Sequence, residues 1–202
     1  AHTAGYSSAS TYLGYFDPNK CYLYSYHATE ALRHFYPAGA ATNRVCTGTN
    51  DSKWSGNFMN WATMQTIDPF RWALTGGYRS TDTATETIIE KAFASNQGSD
   101  TNFPNRSLTV SADVAAATPF SWSSFNMRVR TLGNKMRFTQ TGTLTDTPTA
   151  YDGVATSGGT VYEVSVRVKV CDGSAGAGKL EANCTLYPAG NYQPTGLIQQ
   201  YS

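Results

Sequence analysis

The stretch that most constrains the fold of this chain covers residues 53–87, which hold three of its four tryptophans. Apolar residues recur three and four positions apart from Phe58 to Leu74, and this spacing places them on one face of a helix. Ser55 or Asn57 offers a side-chain oxygen that can cap the first helical turn. The spacing therefore predicts a helix whose apolar face belongs to the core.

Two signals divide this helical stretch. Pro69 lacks an N–H donor, so we expect the helix to kink or restart near Asp68, and we expect Gly76 to end it. Beyond that point, Thr83 and Glu86 have the spacing of a capping box and predict a second helix. The apolar stripe of this second helix would consist of Ile88, Ile89, Ala92 and Phe93.

These helices and several alternating segments predict an α+β fold, in which two consecutive helices pack on a mostly antiparallel sheet with long loops. A partial von Willebrand A-like α/β fold with a parallel sheet is the alternative. We expect residues 1–202 to form a single disulfide-stabilised domain. The alternative is a division into a helical and aromatic half, residues 1–106, and a β-rich half, residues 107–202.

The composition argues against several classes of partner. Charged residues make up 14% of the chain, against about 25% in an ordinary globular domain, and the net charge is +1. Nucleic acid and anionic membranes are therefore not expected partners. The sequence has no apolar run of about 18 residues, so no membrane span is expected. A start at Ala1 without methionine or an apolar leader suggests a processed or excised segment.

The four cysteines, Cys21, Cys46, Cys171 and Cys184, lack the closely spaced pairs of zinc or thioredoxin-like motifs. An even number in a weakly charged, tyrosine-rich chain favours disulfides formed in an oxidising compartment. Three pairings are open, and four buried free thiols are the alternative. We favour Cys21–Cys46 and Cys171–Cys184, because each pair brackets a polar or glycine-rich loop that a crosslink would hold.

One candidate metal site lies on a short helix predicted over residues 28–35. His27, Glu30 and His34 would share one face of this helix, and two imidazoles with a carboxylate can hold zinc. An exposed polar helix face has the same pattern and is the competing interpretation. An Asp-x-Ser-x-Ser metal motif is rejected, because Lys53 occupies the place of its first serine. No cofactor is expected.

The second half contains a predicted β-hairpin over residues 127–141, with a two-residue turn at positions 133–134. The predicted pairs are Val129 with Phe138 and Thr131 with Met136 on one face, and Arg130 with Arg137 on the other. Arg128 lies beside the arginine pair. Like charges directly opposite each other destabilise a sheet, so either an acidic partner covers them or the register differs. A solvated basic face and a partner-binding patch are the two interpretations.

The clearest strand signal covers residues 160–171, where valines and a tyrosine alternate with polar and charged residues. This pattern predicts one long half-buried strand with a polar face toward solvent. Such a strand at a sheet edge could also extend the sheet of a partner protein.

Two functions compete with a structural role. Trp54 and Trp122 are flanked by serines and are candidates for the exposed aromatic platform of a carbohydrate- or surface-binding module. A secreted hydrolase would need a nucleophile with a base, or paired carboxylates in a cleft. All three histidines fall within the first 34 residues, and neither G-x-S-x-G nor H-E-x-x-H occurs. No catalytic residue is therefore assigned.

Four stretches together resemble the PilY-type (PilC-type) tip proteins of bacterial type IV pili, in the same order along the chain. They are YLGYFDPNKCYLY (residues 12–24), SGNFMNWATM (55–64), GGYRSTDTATETIIEKAF (76–93), and the region from VRVKVCDG to LIQQY (166–201). Members of that family often carry a metal-dependent adhesion domain upstream and a calcium-binding β-propeller downstream. The metal loops of both are lacking here, so neither metal site is carried over.

The resemblance implies a non-enzymatic structural and adhesive segment of a pilus tip protein, which supports pilus assembly and surface attachment. The implied partners are minor pilins or other pilus subunits and other domains of the parent protein, with host or abiotic surfaces as further partners. The implied location is extracellular, on the pilus or outer surface of a bacterium, after export through an oxidising periplasm. This location agrees with the argument from the cysteines.

Overall fold

Helices and two sheets make up the fold, together with a small separate hairpin. The computed structural model describes residues 5–96, 104–152, 160–174 and 178–201. The helices in these ranges are α1 (Gly56–Thr63), α2 (Ile67–Thr75), α3 (Ser111–Ala117) and α4 (Leu197–Gln200). The strands are β1 (Lys20–Ser25), β2 (His34–Ala40), β3 (Trp54–Ser55), β4 (Tyr78–Asp82), β5 (Thr87–Glu90), β6 (Arg106–Leu108), β7 (Phe125–Arg128), β8 (Lys135–Thr139), β9 (Tyr162–Ser165), β10 (Arg167–Val170), β11 (Cys184–Leu186) and β12 (Tyr192–Pro194).

The sheets are mostly antiparallel. Six strands form the first sheet in the order β3-β1-β2-β10-β5-β4, four form the second in the order β6-β7-β8-β9, and β11 pairs with β12. β2 and β10 run parallel, and the other paired strands in the described ranges run antiparallel. The predicted α+β class is confirmed, and the von Willebrand A-like alternative with its parallel sheet is wrong.

α1 forms where the apolar spacing predicts a helix. Ser55 Oγ accepts a hydrogen bond from the Phe58 N–H at 3.3 Å and caps the first turn. Every residue of α1 is buried. The rings of Trp54 and Phe125 lie against Phe58, so the helix is enclosed by aromatic side chains from both sheets.

Of the two predicted outcomes near Asp68, a kink or a restart, the structure shows a restart, so the stretch forms two helices. α1 ends at Thr63 and α2 begins at Ile67, close to the expected restart. Pro69 therefore falls in the first turn of α2, where its missing N–H costs no helical hydrogen bond. Gly76, with a φ of +78°, ends α2 as predicted.

The second predicted helix is wrong, because residues 78–90 form the β4–β5 hairpin. Thr83 and Glu86 make its turn instead of a capping box. The Glu86 N–H donates to Thr83 Oγ1 at 3.0 Å, and the Thr83 N–H donates to the Glu86 carbonyl at 2.9 Å. Ile88 and Ile89 follow the turn, and β-branched residues favour a strand.

The long strand predicted over residues 160–171 is two strands in different sheets. β9 pairs with β8, whereas β10 lies between β2 and β5. The chain changes sheet at Val166, whose N–H donates to the Asn134 carbonyl at 2.8 Å and whose carbonyl accepts from the Lys91 N–H at 3.0 Å. Both faces of the two strands are almost entirely buried, so the predicted solvent face is wrong. β10 is central and offers no free edge to a partner, whereas β9 is the last strand of its sheet, with residues 149–150 bonded to part of its outer side.

One aromatic core joins the two sheets. Trp54 lies near its middle, and its ring contacts the rings of Phe35, Phe58, Phe120 and Phe138. The core contains residues from both sides of position 106. The single domain and the alternative division at that position both stay predictions.

Two disulfides join the pairs that the sequence favours. Cys21–Cys46 ties β1 to the loop before β3, and Cys171–Cys184 ties the end of β10 to β11. No cysteine within the described ranges is free.

Candidate functional site

α2 lies at the surface of the molecule, unlike α1. Asp68 is its only fully buried residue, and the apolar side chains of Ile67 and Phe70 are exposed. The apolar face predicted from Phe58 to Leu74 is therefore buried in α1 and largely solvent-facing in α2. This difference makes α2 the starting point for a candidate contact surface.

A buried carboxylate fixes the position of α2. Asp68 Oδ1 accepts a hydrogen bond from the Ala92 N–H at 2.6 Å, and Oδ2 accepts from the Gln65 N–H at 2.8 Å. The start of a helix also favours a negative charge. Polar contacts at its first turn thus hold α2 against the segment that follows β5.

Lys91 strengthens this attachment from the interior, where it is 2% exposed. Its Nζ donates to the Ala92 carbonyl at 2.8 Å, to Gln65 Oε1 at 3.2 Å and to the Gly133 carbonyl at 3.4 Å. Burial lowers the pKa of Lys91 from 10.5 to about 8, and the nearby Asp68 carboxylate opposes part of this change. Lys91 therefore links α2, the segment after β5 and the turn before β8.

α4 packs against the end of α2. A Cβ on Gly196 would overlap the backbone of Leu74 and Thr75, so the close approach requires glycine. Gln199 Nε2 donates to the Thr75 carbonyl at 3.2 Å, and Gln199 Oε1 accepts from the Gly196 N–H at 3.0 Å. These contacts orient α4 relative to α2.

The two packed helices expose four large apolar side chains, which we name the α2–α4 face. They are Ile67 (43% exposed), Phe70 (60%), Leu197 (50%) and Ile198 (56%). Single exposed apolar residues are ordinary, but four such side chains on two helices that pack together are candidates for a contact surface. The α2–α4 face is therefore the candidate interaction site in the described part of the chain.

Arg79 on β4 holds the segment that leads into α4. Its Nη1 donates to Gln193 Oε1 at 3.0 Å, and its Nη2 donates to the Pro194 carbonyl at 2.8 Å. Gln193 Nε2 in turn donates to Asp82 Oδ1 at 2.7 Å. The edge strand β4 thus anchors β12 through side chains, and α4 follows directly from this anchored segment.

The aromatic platform predicted at Trp54 and Trp122 is wrong. The two side chains are 1% and 5% exposed, and their rings pack against Phe120 at centroid distances of 5.0 and 4.8 Å. A neighbouring serine did not indicate exposure, because Ser55 Oγ caps α1 and donates to the Arg44 carbonyl at 2.6 Å. The carbohydrate-binding alternative loses its aromatic basis.

His27, Glu30 and His34 do not converge on a metal site. The predicted helix is a short 3-10 turn followed by β2, because the segment after the turn pairs with β1. The Glu30 carboxylate is taken up by Ser165 and by Arg167, whose Nη1 lies 3.1 Å from Glu30 Oε1. Among the described residues, these three side chains do not form a metal-binding group.

The arginines of the second half meet in a register that differs from the predicted one. β7 sets Arg128, and not Arg130, opposite Arg137, because the turn is longer than two residues. Arg137 Nε donates to Glu163 Oε2 of β9 at 2.7 Å, so an acidic group of the chain itself covers this arginine. Arg128 Nε donates to the Arg130 carbonyl at 3.0 Å. A partner-binding role for the three arginines stays a prediction.

Side chains of opposite charge from neighbouring segments also cover the polar side of residues 160–171. Arg167 donates through Nε to Glu90 and through its two other nitrogens to Glu30. Burial alone would raise the pKa of Glu30, but hydrogen bonds from Ser165 and Arg167 hold it below its ordinary value. The alternating charges thus serve as internal ties between strands.

Sequence reasoning missed the role of two asparagines in α1. Asn60 Nδ2 donates to the Tyr12 carbonyl at 2.9 Å and to the Phe16 carbonyl at 2.7 Å, and its Oδ1 accepts from the Phe16 N–H at 3.0 Å. Asn57 Oδ1 accepts from the Tyr12 N–H at 2.9 Å. Two amides three residues apart in an otherwise apolar helix were an available signal, since buried polar groups need partners.

Comparison with known proteins gives one matching family and two relatives. Residues 3–166 match the model of a family described as "PilY1 homolog, small alpha/beta domain". Two proteins of Xylella fastidiosa (strain Temecula1), each named type IV pilus biogenesis factor PilY1 homolog, are similar to this chain. They are 47% identical over 208 residues and 28% identical over 220 residues. No solved structure matches.

The matched relatives are much longer than this chain. The two alignments cover 98% and 95% of the chain, but only 17% and 14% of the respective relatives. Within the residues described, none of the helices has both the length and the apolar character needed to span a bilayer.

Proposed function

Because this chain belongs to the family of PilY1-homologue small alpha/beta domains, we propose that it is a non-enzymatic structural and adhesive module of a type IV pilus-associated protein. The family match confirms the PilY-type resemblance read from the sequence. The names of the two relatives support a role in pilus biogenesis. The module would act through protein–protein contacts that support pilus assembly and attachment to surfaces.

The α2–α4 face is the observation that carries this proposal. Its apolar side chains are exposed although both helices are firmly attached, so they are available to a partner. In a protein as long as the relatives, the nearest partner is another domain of the same protein. We therefore assign the face to contact with a neighbouring domain, which in turn reaches minor pilins or other pilus subunits.

The two disulfides support an extracellular location. Disulfides form and persist in secreted and periplasmic proteins, whereas the cytosol keeps thiols reduced. The proposed site of action is the pilus or outer surface of the bacterium, reached through an oxidising periplasm. Host or abiotic surfaces are the proposed targets of attachment.

Charge placed on the α2–α4 face tests the proposal. Bacteria that produce the parent protein with Phe70→Glu and Leu197→Glu should assemble fewer surface pili, because a carboxylate cannot be buried in an apolar contact without a large cost. Pili are counted by electron microscopy, and attachment is measured on an abiotic surface. Val110→Glu is the matched control, since Val110 is 54% exposed and precedes α3.

Three outcomes are informative. Fewer pili with Phe70→Glu and Leu197→Glu, but not with Val110→Glu, support a role in assembly. Normal pili with weakened attachment support the adhesive part of the proposal alone. Normal pili and normal attachment, with the altered protein present at its usual level, would overturn it.

A further inference from the structure

Arg71 adds a charge to the otherwise apolar α2–α4 face. α2 contains two charged residues, Asp68 and Arg71, and α4 contains none. Asp68 is fully buried, whereas Arg71 is exposed. Ile67 lies three positions before Phe70 and four before Arg71, so these three side chains share one side of the helix. A partner that covers Ile67 and Phe70 therefore also covers Arg71.

No carboxylate of the described residues forms an ion pair with Arg71, although the chain pairs other cations in this way. The paired cations are Lys20, Arg79, Lys135, Arg137, Arg167 and Lys169. Asp68 on the same helix instead accepts hydrogen bonds from the N–H groups of Ala92 and Gln65. The charge of Arg71 is thus not neutralised by a direct contact within the described part of the chain.

The side chain of Arg71 lies near the hydroxyl of Tyr15. Burial and the nearby Asp68 carboxylate raise the pKa of Tyr15, and the positive charge of Arg71 opposes part of this increase. The hydroxyl is uncharged at neutral pH, so it does not balance the charge of the guanidinium. Solvent is therefore the main counterpart of Arg71 as long as the α2–α4 face is open.

A partner that covers Arg71 removes this solvent. A guanidinium that leaves water without gaining an anion loses a large hydration free energy. A carboxylate compensates best for this loss, since the N–H donors of arginine form a fixed fork that binds both carboxylate oxygens. The surface that covers the face must therefore combine apolar side chains with a carboxylate.

We propose that the α2–α4 face binds an apolar segment of a neighbouring domain in which an aspartate or glutamate lies opposite Arg71. This inference rests on the proposed function and names the chemistry of the partner that the face receives. Contacts with the four exposed apolar side chains supply most of the attraction, because they remove apolar area from water. The ion pair fixes the orientation and disfavours apolar surfaces that lack an acidic residue.

Hydrogen–deuterium exchange tests the proposal. Docking covers α2 and α4, so the amides of residues 67–75 and 197–200 should exchange more slowly in the parent protein than in the isolated chain. Arg71→Glu places two negative charges opposite each other and should raise these exchange rates in the parent protein about tenfold. Lys179→Glu is the matched control, since Lys179 is exposed and the substitution changes the net charge by the same amount. Unchanged exchange in α1 shows that each variant is folded.

Zero-length crosslinking locates the acidic residue. Arg71→Lys keeps the positive charge and supplies an amine, which a carbodiimide couples to a carboxylate in direct contact with it. Peptide mass spectrometry of the crosslinked parent protein should identify an aspartate or glutamate in a neighbouring domain. Val110→Lys is the control, because Val110 is exposed and precedes α3. Replacing the identified carboxylate by arginine should restore slow exchange in the Arg71→Glu protein.

The outcomes separate this inference from the docking proposal. If α2 and α4 exchange as fast in the unaltered parent protein as in the isolated chain, the docking face and the acidic partner are overturned together. Slow exchange that survives Arg71→Glu, without a crosslink from Arg71→Lys, overturns the acidic partner alone and leaves docking intact. Crosslinks that join two copies of the protein assign the face to self-association and overturn the contact with a neighbouring domain.

Discussion

Asn60 illustrates how one polar side chain sets the path of a distant segment. It lies in the apolar stretch that defines α1, yet it is fully buried and satisfies three backbone groups of residues 12–16. Gly14 in that segment packs directly on Asn60, so the backbone approaches the amide closely. The sequence motif around Asn60 is therefore best explained as a structural tie between the N-terminal segment and the core.

Removing this amide should destabilise the protein strongly. Asn60→Ala leaves two carbonyls and one N–H buried without partners, and the expected loss is on the order of 3 kcal/mol or more in the free energy of unfolding. Urea denaturation followed by tryptophan fluorescence measures it. Asn126→Ala is the control, because Asn126 is exposed and its loss should cost under about 1 kcal/mol. Equal effects of the two substitutions would contradict the structural role.

Lys91 should give the protein a specific dependence on pH. Its folded pKa of about 8 lies below the ordinary value of 10.5, so the folded state loses this proton first as pH rises. Below pH 8 the buried charge costs stability, and this cost is relieved as pH rises from 8 to 10.5. The stability of the native chain relative to Lys91→Met should therefore increase by about 2 kcal/mol between pH 7 and pH 9.5.

Chemical denaturation at the two pH values measures this difference. Lys179→Met is the control, because Lys179 is exposed and its substitution should leave the pH dependence of stability unchanged. A constant or decreasing difference between the native chain and Lys91→Met would show that the Lys91 charge is not penalised by burial.

Burial was the property of single residues that the sequence predicted least well. Trp54 and Trp122 have serine neighbours, yet both side chains are buried, and Ser55 beside Trp54 caps α1 and donates to the Arg44 carbonyl. Lys91 and Asp68 are charged residues whose burial depends on each other and on a turn far along the chain. Such partners are brought together only by tertiary packing, which local composition does not encode.

At the scale of elements, local sequence signals predicted a helix or its end correctly where the signal had only one structural interpretation. Ser55 and the apolar spacing after it predicted α1, and Gly76 predicted the end of α2. Thr83 and Glu86 have a spacing that serves both a capping box and a hairpin turn, and the strand neighbours of β5 decided for the hairpin. The favoured disulfide pairs also followed from local loops.

The strand from residue 160 to residue 171 could not be placed from its own pattern. Alternation predicted one face in water, but Glu163 and Arg167 meet opposite charges contributed by β8, β5 and the turn at Glu30. Both faces are covered because the chain changes sheet at Val166. The partners that cover it come from segments up to 141 residues away, beyond the reach of periodicity.

Loss of the second disulfide should act locally on the β11–β12 hairpin. The hairpin pairs with neither main sheet, and the Cys171–Cys184 crosslink ties it to the end of β10. Replacing both cysteines by serine should lower the free energy of opening this hairpin by about 3 kcal/mol, because the crosslink closes a loop of 13 residues. Amide exchange should quicken in residues 184–194 and change little in α1. An equal increase in amide exchange in all elements would contradict a local role of this disulfide.

At the scale of the whole molecule, one central strand lies outside the match to the family. The family model ends at residue 166, and β10 begins at Arg167. β10 nevertheless lies between β2 and β5 and thereby joins the two halves of the six-stranded sheet. The unit that folds therefore includes residues beyond the matched range.

Truncation tests this boundary directly. A chain that ends at Val166 loses β10, so the β3-β1-β2 and β5-β4 parts of the sheet lose the strand between them and expose buried Phe35 and Ile89. We expect it to lose its near-ultraviolet circular dichroism and its cooperative thermal transition. A chain that ends at Thr195 keeps β10 and both disulfides and lacks only α4, so it should remain folded.

The full chain with serine at positions 171 and 184 separates loss of the disulfide from loss of the strand. A cooperative transition at the native temperature in the shorter chain would mean that the sheet closes without β10.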